Sequence, residues 1–444
     1  MKKIKQKTCD TILIWDGKEE SVSLNIDGKK VVPVKNLSMG YKTTENVFIS
    51  ADNYDALKYL QKDYSGKIRV IYIDPPYNTG HKFVYKDKYQ DKFCRHSNWC
   101  NMIYARLVLA KNLLSENGVI FISIDGCEVY NLKLICDEIF GEENFITQFI
   151  YEKTQHFGRQ KLNFYSNSDF ILCYAKNKYN KNGKIKELLV ENVHSDLLDA
   201  PLYNASNKKI KITFPAKTVK FNLKDGVYKK TSSSDYILHT VLKVKNGRNE
   251  NDFVLEFKSR WSEKKVKEEI KKGTEFWVKT KMFAIRAVYS KHKLTKKAPK
   301  QIIVTNPLNC TLSRFGERVK TSESATSELN ELLKTKENFS YPKSVSLISY
   351  LISLIYDEET QSFPNDFTVL DFFTGSGTTA HACMHLNSLD NGKRKFIIVQ
   401  KPEKMNSNKY GTISELCRER LIKSCELYKF SDCDTGFKYY KTED

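Results

Sequence analysis

Asp74-Pro75-Pro76-Tyr77 is the stretch whose residue types point most directly to chemistry. Val70 to Ile73 reads as a buried strand. The two prolines that follow remove two backbone donors and fix φ twice, so neither strand nor helix continues through them. Asp74 and Tyr77 are therefore held on a short, stiff loop at the carboxyl end of a strand, where open α/β sheets bind ligands. The Asp74 carboxylate and the Pro75 carbonyl can each accept a hydrogen bond from an exocyclic amino group, while the Tyr77 ring stacks on the flat system carrying it. A Pro-Pro turn with a capping aspartate is the plain alternative, and the rest of the chain has to decide.

A second set lies far along the chain. Phe367 to Asp371 reads as a buried strand, and Phe372-Phe373-Thr374-Gly375-Ser376-Gly377-Thr378-Thr379-Ala380 as a glycine turn that opens a helix. Gly375-x-Gly377-x-x-Ala380 has the spacing of a dinucleotide fingerprint: the glycines let the backbone approach a ligand, and the helix start offers free N–H groups. No Gly-Lys-Ser/Thr follows, so this is not a phosphate-cradling P-loop. A nicotinamide dinucleotide also wants an acid on its ribose at the end of the next strand. That position is Gln400, which still offers a hydrogen bond to a hydroxyl. A nucleoside with a charged amino-acid tail uses the same parts differently. Lys343 then meets a carboxylate, Asp371 and the Gly375 turn hold the methionine portion, and Gln400 takes the ribose. That ligand is S-adenosylmethionine. Asp52, at the end of a strand Val47 to Ser50, is either a further ligand contact or the cap of the next helix.

The elements that must position these groups alternate. Strand Val47 to Ser50 leads to a helix Tyr54 to Leu60. The Asp74 strand leads to a long amphipathic helix marked by Trp99, Ile103, Leu107, Ala110 and Leu114 and ended by Asn117-Gly118. Val119 to Asp125 is another buried strand ending in an acid, then a helix Val129 to Phe140 closes at Gly141, and Ser168 to Ala175 adds a strand. This spacing predicts a parallel sheet covered on both faces. Alternation returns near Thr321, with a short helix opening at Ser324, a helix Val345 to Tyr356, the Asp371 strand with a helix running to about Leu386, and a strand Lys395 to Gln400. Residues 1 to 45 read as a lead-in of short strand-like pieces.

Between Lys176 and Thr321 the composition changes. Asn207 to Lys230 holds eight lysines and one acid, Asp225, and Lys291 to Lys300 holds five lysines and no acid. Ile210, Ile212 and Phe214 alternate with Lys209, Lys211 and Thr213, as in a strand with a basic outer face. Phe214, Phe221 and Tyr228 interleave with the charge. A β-rich insertion with a basic, aromatic-studded face suits contact with nucleic acid; solvated strands are the plainer alternative. The whole chain carries 73 Lys and Arg against 53 acids, a formal charge of +20, which fits a polyanionic partner. Lysine far outweighs arginine here, and an A+T-rich genome gives the same balance.

Other classes are disfavoured. The longest apolar run, Leu347 to Tyr356, is too short to span a bilayer. The basic start is followed by no apolar h-region, so a cytoplasmic protein is expected. Eleven cysteines form no C-x-x-C pair, and neither zinc nor a disulfide framework is indicated.

The pairing of Asp74-Pro75-Pro76-Tyr77 with Asp371 to Thr379 resembles amino-directed DNA methyltransferases. Its order, catalytic motif first and cofactor motif last with an insertion between, resembles the beta class of that family, a circular permutation of the usual arrangement. More closely, the chain resembles the modification subunit of type III restriction–modification systems. The stretches that carry this are Ile71 to Gly80, Val119 to Asp125, Glu138 to Phe145, Ser168 to Asn177, Arg260-Trp261-Ser262, Ala325 to Leu333, Tyr341-Pro342-Lys343, Ile398 to Glu403 and Thr435-Gly436-Phe437.

The resemblance implies a Rossmann-like α/β methyltransferase sheet with an inserted β-rich target recognition domain. Its segments would be a lead-in at 1–45, a first catalytic segment at 46–176, the target recognition domain at 177–320 and a second catalytic segment at 321–444. The implied reaction is transfer of a methyl group from S-adenosyl-L-methionine to N6 of an adenine flipped out of double-stranded DNA. Asp74, Pro75, Pro76 and Tyr77 would be catalytic. Asp52, Lys343, Asp371, Phe373, Gly375, Ser376, Gly377, Thr378, Thr379 and Gln400 would bind the cofactor, and no metal is needed. Relatives imply a homodimer and a helicase-nuclease restriction subunit as partner. The chain is short for such a subunit, which puts the restriction partner in doubt more than the chemistry. Competing readings are the same chemistry on cytosine N4 or an RNA amine, a nicotinamide oxidoreductase using only the glycine turn, and a specificity subunit that has lost catalysis.

Overall fold

The computed structural model describes residues 13–23, 29–80, 95–156, 165–193, 199–288, 295–307, 309–335, 339, 341–405, 407, 409–429 and 433–443. Residues 82–94 of the aromatic and charged stretch Lys82 to Arg95, and residues 291–294 of the basic run Lys291 to Lys300, lie outside them. The chain forms two compact units: residues up to Glu191 with those from Lys297 onward, and Asn192–Lys296 between them.

The first unit is built on one ten-stranded sheet. Its strands in chain order are β1 (Val31–Pro33), β2 (Val47–Ser50), β3 (Ile68–Ile73), β4 (Leu114–Ile124), β5 (Phe145–Glu152), β6 (Ser168–Ala175), β7 (Ile302–Ile303), β8 (Thr368–Asp371), β9 (Lys395–Gln400) and β10 (Lys438–Thr442). Across the sheet they run β1-β10-β2-β9-β8-β3-β4-β6-β5-β7. The centre is parallel, and the join that matters is β8 beside β3, with Leu370 opposite Ile71. β9 flanks β8 and β4 flanks β3, both parallel. Asp371, Gln400, Asp74 and Asp125 therefore leave the same edge of the sheet. Two segments far apart in sequence become one surface.

The sheet is not wholly parallel. β6 runs antiparallel to both β4 and β5, and β1 is antiparallel to β10. An antiparallel neighbour needs no crossover helix, unlike the parallel neighbours at the centre. The N-terminal lead-in also differs from expectation: Lys18–Ser23 is helical, and among the described residues up to 45 only Val31–Pro33 is a strand.

Helices cover both faces. Asn53–Tyr64 starts at an Asp52 cap, whose carboxylate accepts the Tyr54 N–H at 3.0 Å. It buries Leu57 and Leu60, each such side chain contributing about 1.5–3 kcal/mol. Arg95–Leu113 packs Trp99, Ile103 and Leu107 on the same side. It ends four residues before the Asn117-Gly118 signal, because β4 already begins at Leu114 to pair with Ile68. Val345–Ser353 and Thr378–Asp390 fill the opposite face with Leu347, Leu351, Ala380 and Met384.

The second unit has a seven-stranded and a three-stranded sheet around its own core. Strand Lys209–Phe214 exposes Lys209 and Lys211 and pairs with Phe253–Lys258. Phe214 and Phe221 are buried, with the Phe214 ring 5.4 Å from that of Phe253 and 5.3 Å from that of Phe276. The expected aromatic-studded basic face is thus a basic face only. Residues that alternate with outward lysines on a strand must point inward. The unit is also smaller than the 177–320 expected from composition. Leu189 bridges to Ile355, Val190 N–H donates to Leu354 O, and β7 joins β5, so both flanks belong to the first unit.

Candidate active site

A cleft of about 270 Å³ opens at the carboxyl edge of the parallel strands, within the first unit. Asp52, Asp74, Pro76, Lys343, Asp371, Phe373, Gly375, Ser376, Thr378, Thr379 and Gln400 line it, as do Phe339, Met102 and Arg106. Pro75 and Gly377 are buried behind its wall, and Tyr77 is half-buried beside it.

The Asp74 loop is braced from below. Trp99 Nε1 donates to Pro76 O at 2.7 Å. Asn78 is buried in the left-handed region (φ 59°), a conformation asparagine tolerates better than most residues. Its amide donates to Glu128 Oε1 at 2.6 Å, and Arg95 donates to its carbonyl. Glu128 is fully buried and also bonds Asn131 and His96.

At the front of the loop, the Tyr77 hydroxyl donates to Asp74 Oδ1 at 2.7 Å. Lys343 Nζ donates to the same hydroxyl at 2.7 Å and pairs with Asp74 Oδ1 at 3.2 Å. Burial pushes the Asp74 carboxyl above its ordinary range, although Lys343 and the Tyr77 hydroxyl oppose the shift. Burial also raises the Tyr77 phenol, with the Asp74 charge adding to it. Lys343, read from sequence as a partner for a cofactor carboxylate, instead lies between two protein carboxylates, with Asp169 Oδ2 at 3.3 Å. Burial disfavours its charge, yet Asp74 and Asp169 outweigh that and raise its pKa.

The glycine turn is clamped from three sides. Gly375 and Gly377 have φ of 55° and 86°, which an L side chain rarely adopts; a Cβ on Gly377 would lie 2.8 Å from Leu421 Cδ1 and 2.9 Å from Cys417 Sγ. Asp371 accepts the Phe373 N–H at 3.0 Å and the Thr379 hydroxyl at 2.5 Å. Gln400 Oε1 accepts the Gly375 N–H at 2.9 Å and its amide donates to Lys401 O. So the residue expected at the ribose holds the turn. The buried Arg420 donates to Ser376 Oγ and Thr378 Oγ1, both at 2.7 Å, and burial lowers its pKa to about 10. Replacing Arg420 by methionine is expected to cost about 2 kcal/mol, because two buried hydroxyls lose their donor. Denaturant unfolding checks this, and an unchanged midpoint would contradict it.

Asp52 fills both of its sequence-level roles in part. It caps the helix, borders the cleft, and pairs with Arg106 at 2.9 Å and Lys401 at 3.2 Å. Burial works against its charge, but Arg106, the Tyr54 N–H and Lys401 hold the carboxyl below its ordinary range. Arg106 also donates to Asn53, whose amide reaches Phe372 O at 2.9 Å, tying the two catalytic segments together.

Sequence reasoning missed Glu128, Asp169, Arg420 and Arg106. Glu128 precedes a helix and reads as an ordinary first-turn acid. Asp169 reads as a polar residue opening a strand, and Arg420 sits on a helix of mixed charge. A single arginine among the buried positions Cys417, Leu421 and Ser424 of one helix face was the available signal for Arg420.

An open α/β sheet with a ligand-sized cleft at its strand ends, bordered by a glycine turn, is the arrangement of a nucleotide-binding protein. The chain belongs to the DNA methylase family of the N6/N4 type, whose model matches residues 68–405. It is 30% identical over 435 residues to the Mod subunit of the type III restriction-modification enzyme StyLTI of Salmonella typhimurium, covering 90% of this chain and 60% of that one. Against the EcoPI Mod subunit of Escherichia phage P1 it is 31% identical over 503 residues, covering 96% and 72%. Against the type II methyltransferase M.KpnI of Klebsiella pneumoniae it is 29% identical over 426 residues, covering 92% and 93%. No helix among the described residues is long and apolar enough to cross a membrane.

Proposed function

We propose that this chain transfers a methyl group from S-adenosyl-L-methionine to N6 of an adenine in double-stranded DNA, at a particular sequence. The observation that carries the reading is the approach of the Asp74 loop and the Gly375 turn to one cleft. The donor set suits the cofactor. Arg420 donates to the Ser376 and Thr378 oxygens, which leaves their hydrogens for an acceptor in the cleft such as an amino-acid carboxylate. Asp52, held ionised by Arg106 and Lys401, supplies negative charge for a cationic ligand, and Phe339, Phe373 and Met102 supply apolar surface for a base. S-adenosylmethionine brings a methyl group on a sulfonium, already a good leaving group.

The chain's own contribution is then placement. Asp74 and the Pro75 carbonyl accept the two hydrogens of the target amine, turning its nitrogen toward tetrahedral geometry with the lone pair exposed. Positioning of this kind is worth several orders of magnitude in rate. Tyr77 stacks on the flipped base and recovers about 1–3 kcal/mol of the unstacking cost. The outward lysines of the second unit contact phosphates. The chain works in the cytoplasm, as a homodimer, as the modification partner of a helicase-nuclease subunit. A second reading, a type II methyltransferase, is favoured by the likeness to M.KpnI, 93% of which the chain covers.

Expression in a host free of adenine methylation, followed by sequencing that reads modified bases directly, tests the reading. N6-methyladenine in one short sequence context is expected. Modified cytosine instead would move the substrate to the other amine of the family.

A further inference from the structure

We propose that Lys343 is a movable counter-ion shared by Asp74 and Asp169, and that Asp169 is the berth that receives it when the target amine arrives. The inference rests on the methyl-transfer reading above and assigns Asp169 as a positioning residue. Lys343 Nζ stands 3.2 Å from Asp74 Oδ1 and 2.7 Å from the Tyr77 hydroxyl. A target amine that reaches Asp74 meets a carboxylate already shared with a cation and a hydroxyl at Oδ1 and competes with them for its charge. In the proposal the lysine holds the place of the substrate's donor and yields to it.

A buried ammonium cannot simply be stranded, because an unpaired charge in a dry site is strongly disfavoured. Asp169 removes that obstacle. It is 3% exposed, its Oδ2 already lies 3.3 Å from Lys343, and its Oδ1 is held at 2.8 Å by Lys153. Charges alternate along Lys153, Asp169, Lys343 and Asp74, so the ammonium keeps a carboxylate partner as it moves from Asp74 to Asp169, while Asp74 turns to the hydrogens of the target amine. The other titratable groups facing this cluster are Tyr72 and Tyr77 from the β3 side, Asp125 after β4, Tyr151 on β5 and Asp371 after β8. None of these is a cation that could take the place of Lys343.

Two measurements test this. In protein labelled with 13C-lysine, with Lys343→Met for assignment, Asp74→Asn and Asp169→Asn are each expected to lower the titration midpoint of Lys343. A midpoint indifferent to Asp169→Asn overturns the sharing, whatever the activity. If Asp169→Asn does not fold, Lys153→Met leaves Asp169 wholly to Lys343 and is expected to raise the midpoint; one left in place overturns the sharing equally. In single turnover, Asp169→Asn should slow transfer about tenfold, since the lysine now stays on Asp74. The rate should recover as pH rises and Lys343 loses its proton, and Asp169→Glu should restore the wild-type profile. In a Lys343→Met background, Asp169→Asn should cost no more than about twofold. Equal losses in both backgrounds would make Asp169 merely structural and overturn the proposal. Absence of transfer by the unmutated chain would instead overturn the functional reading, while the titration still decides the shared ion pair.

Discussion

Asp74→Ala is expected to lower the rate of methyl transfer by at least about a hundredfold, the loss typical of removing one group that orients or stabilises the reacting atoms. The carboxylate is the acceptor at the mouth of a loop whose other end is fixed by Trp99 and Glu128. Removing it leaves the loop in place and takes away only the hydrogen bond that directs the amine. It also releases Lys343 to Asp169, so no charge is stranded. Affinity for DNA and for the cofactor should therefore hold within about threefold. Single-turnover transfer and equilibrium binding, measured on the same preparation, separate the two. Full activity in Asp74→Ala would remove the acceptor role altogether.

Asp371 should make stability fall as pH rises. Burial, followed by opposing bonds from Thr379 and the Phe373 N–H, takes its carboxyl from the ordinary 3.8 up to about 7. Below the ordinary value the group is protonated in both folded and unfolded chains, and its contribution is fully present. From there to about 7 the folded chain keeps a proton that the unfolded chain has lost, so stability declines; above that the loss is complete. Asp371→Asn does not titrate. Its stability relative to the unmutated chain should climb across that window and then level, by on the order of 4 kcal/mol in total. Urea unfolding at a series of pH values reads this directly. A difference that does not change with pH would mean the carboxyl is not raised.

The parts of this site that are local in sequence were legible, and the parts that are not local were hidden. Proline pairs and glycine turns act through their own backbone, so the Asp74 loop and the Gly375 turn could be read where they stand. The Asp52 cap is legible for the same reason. The fate of Lys343 was not, because it precedes the helix Val345–Ser353 while Asp74 follows β3 and Asp169 lies on β6, three segments far apart in sequence. Gln400 shows the same limit: its position at a strand end was readable, but the direction of its amide, toward Gly375, depends on the neighbouring strand. The alternation of Phe214 with lysines held the answer to which side the ring faces, since a period of two separates them. The antiparallel return of β6 was hidden because the apolar pattern of Ser168–Ala175 marks a buried strand without giving its direction.

The central claim is tested most directly by incubating the purified chain with methyl-tritiated S-adenosylmethionine and unmethylated duplex DNA, then digesting the product to nucleosides. Label in N6-methyladenosine's deoxy form, and none with Asp74→Ala, is the result this account predicts. Label in N4-methylcytosine, in RNA alone, or in no nucleic acid while the cofactor still binds would contradict it.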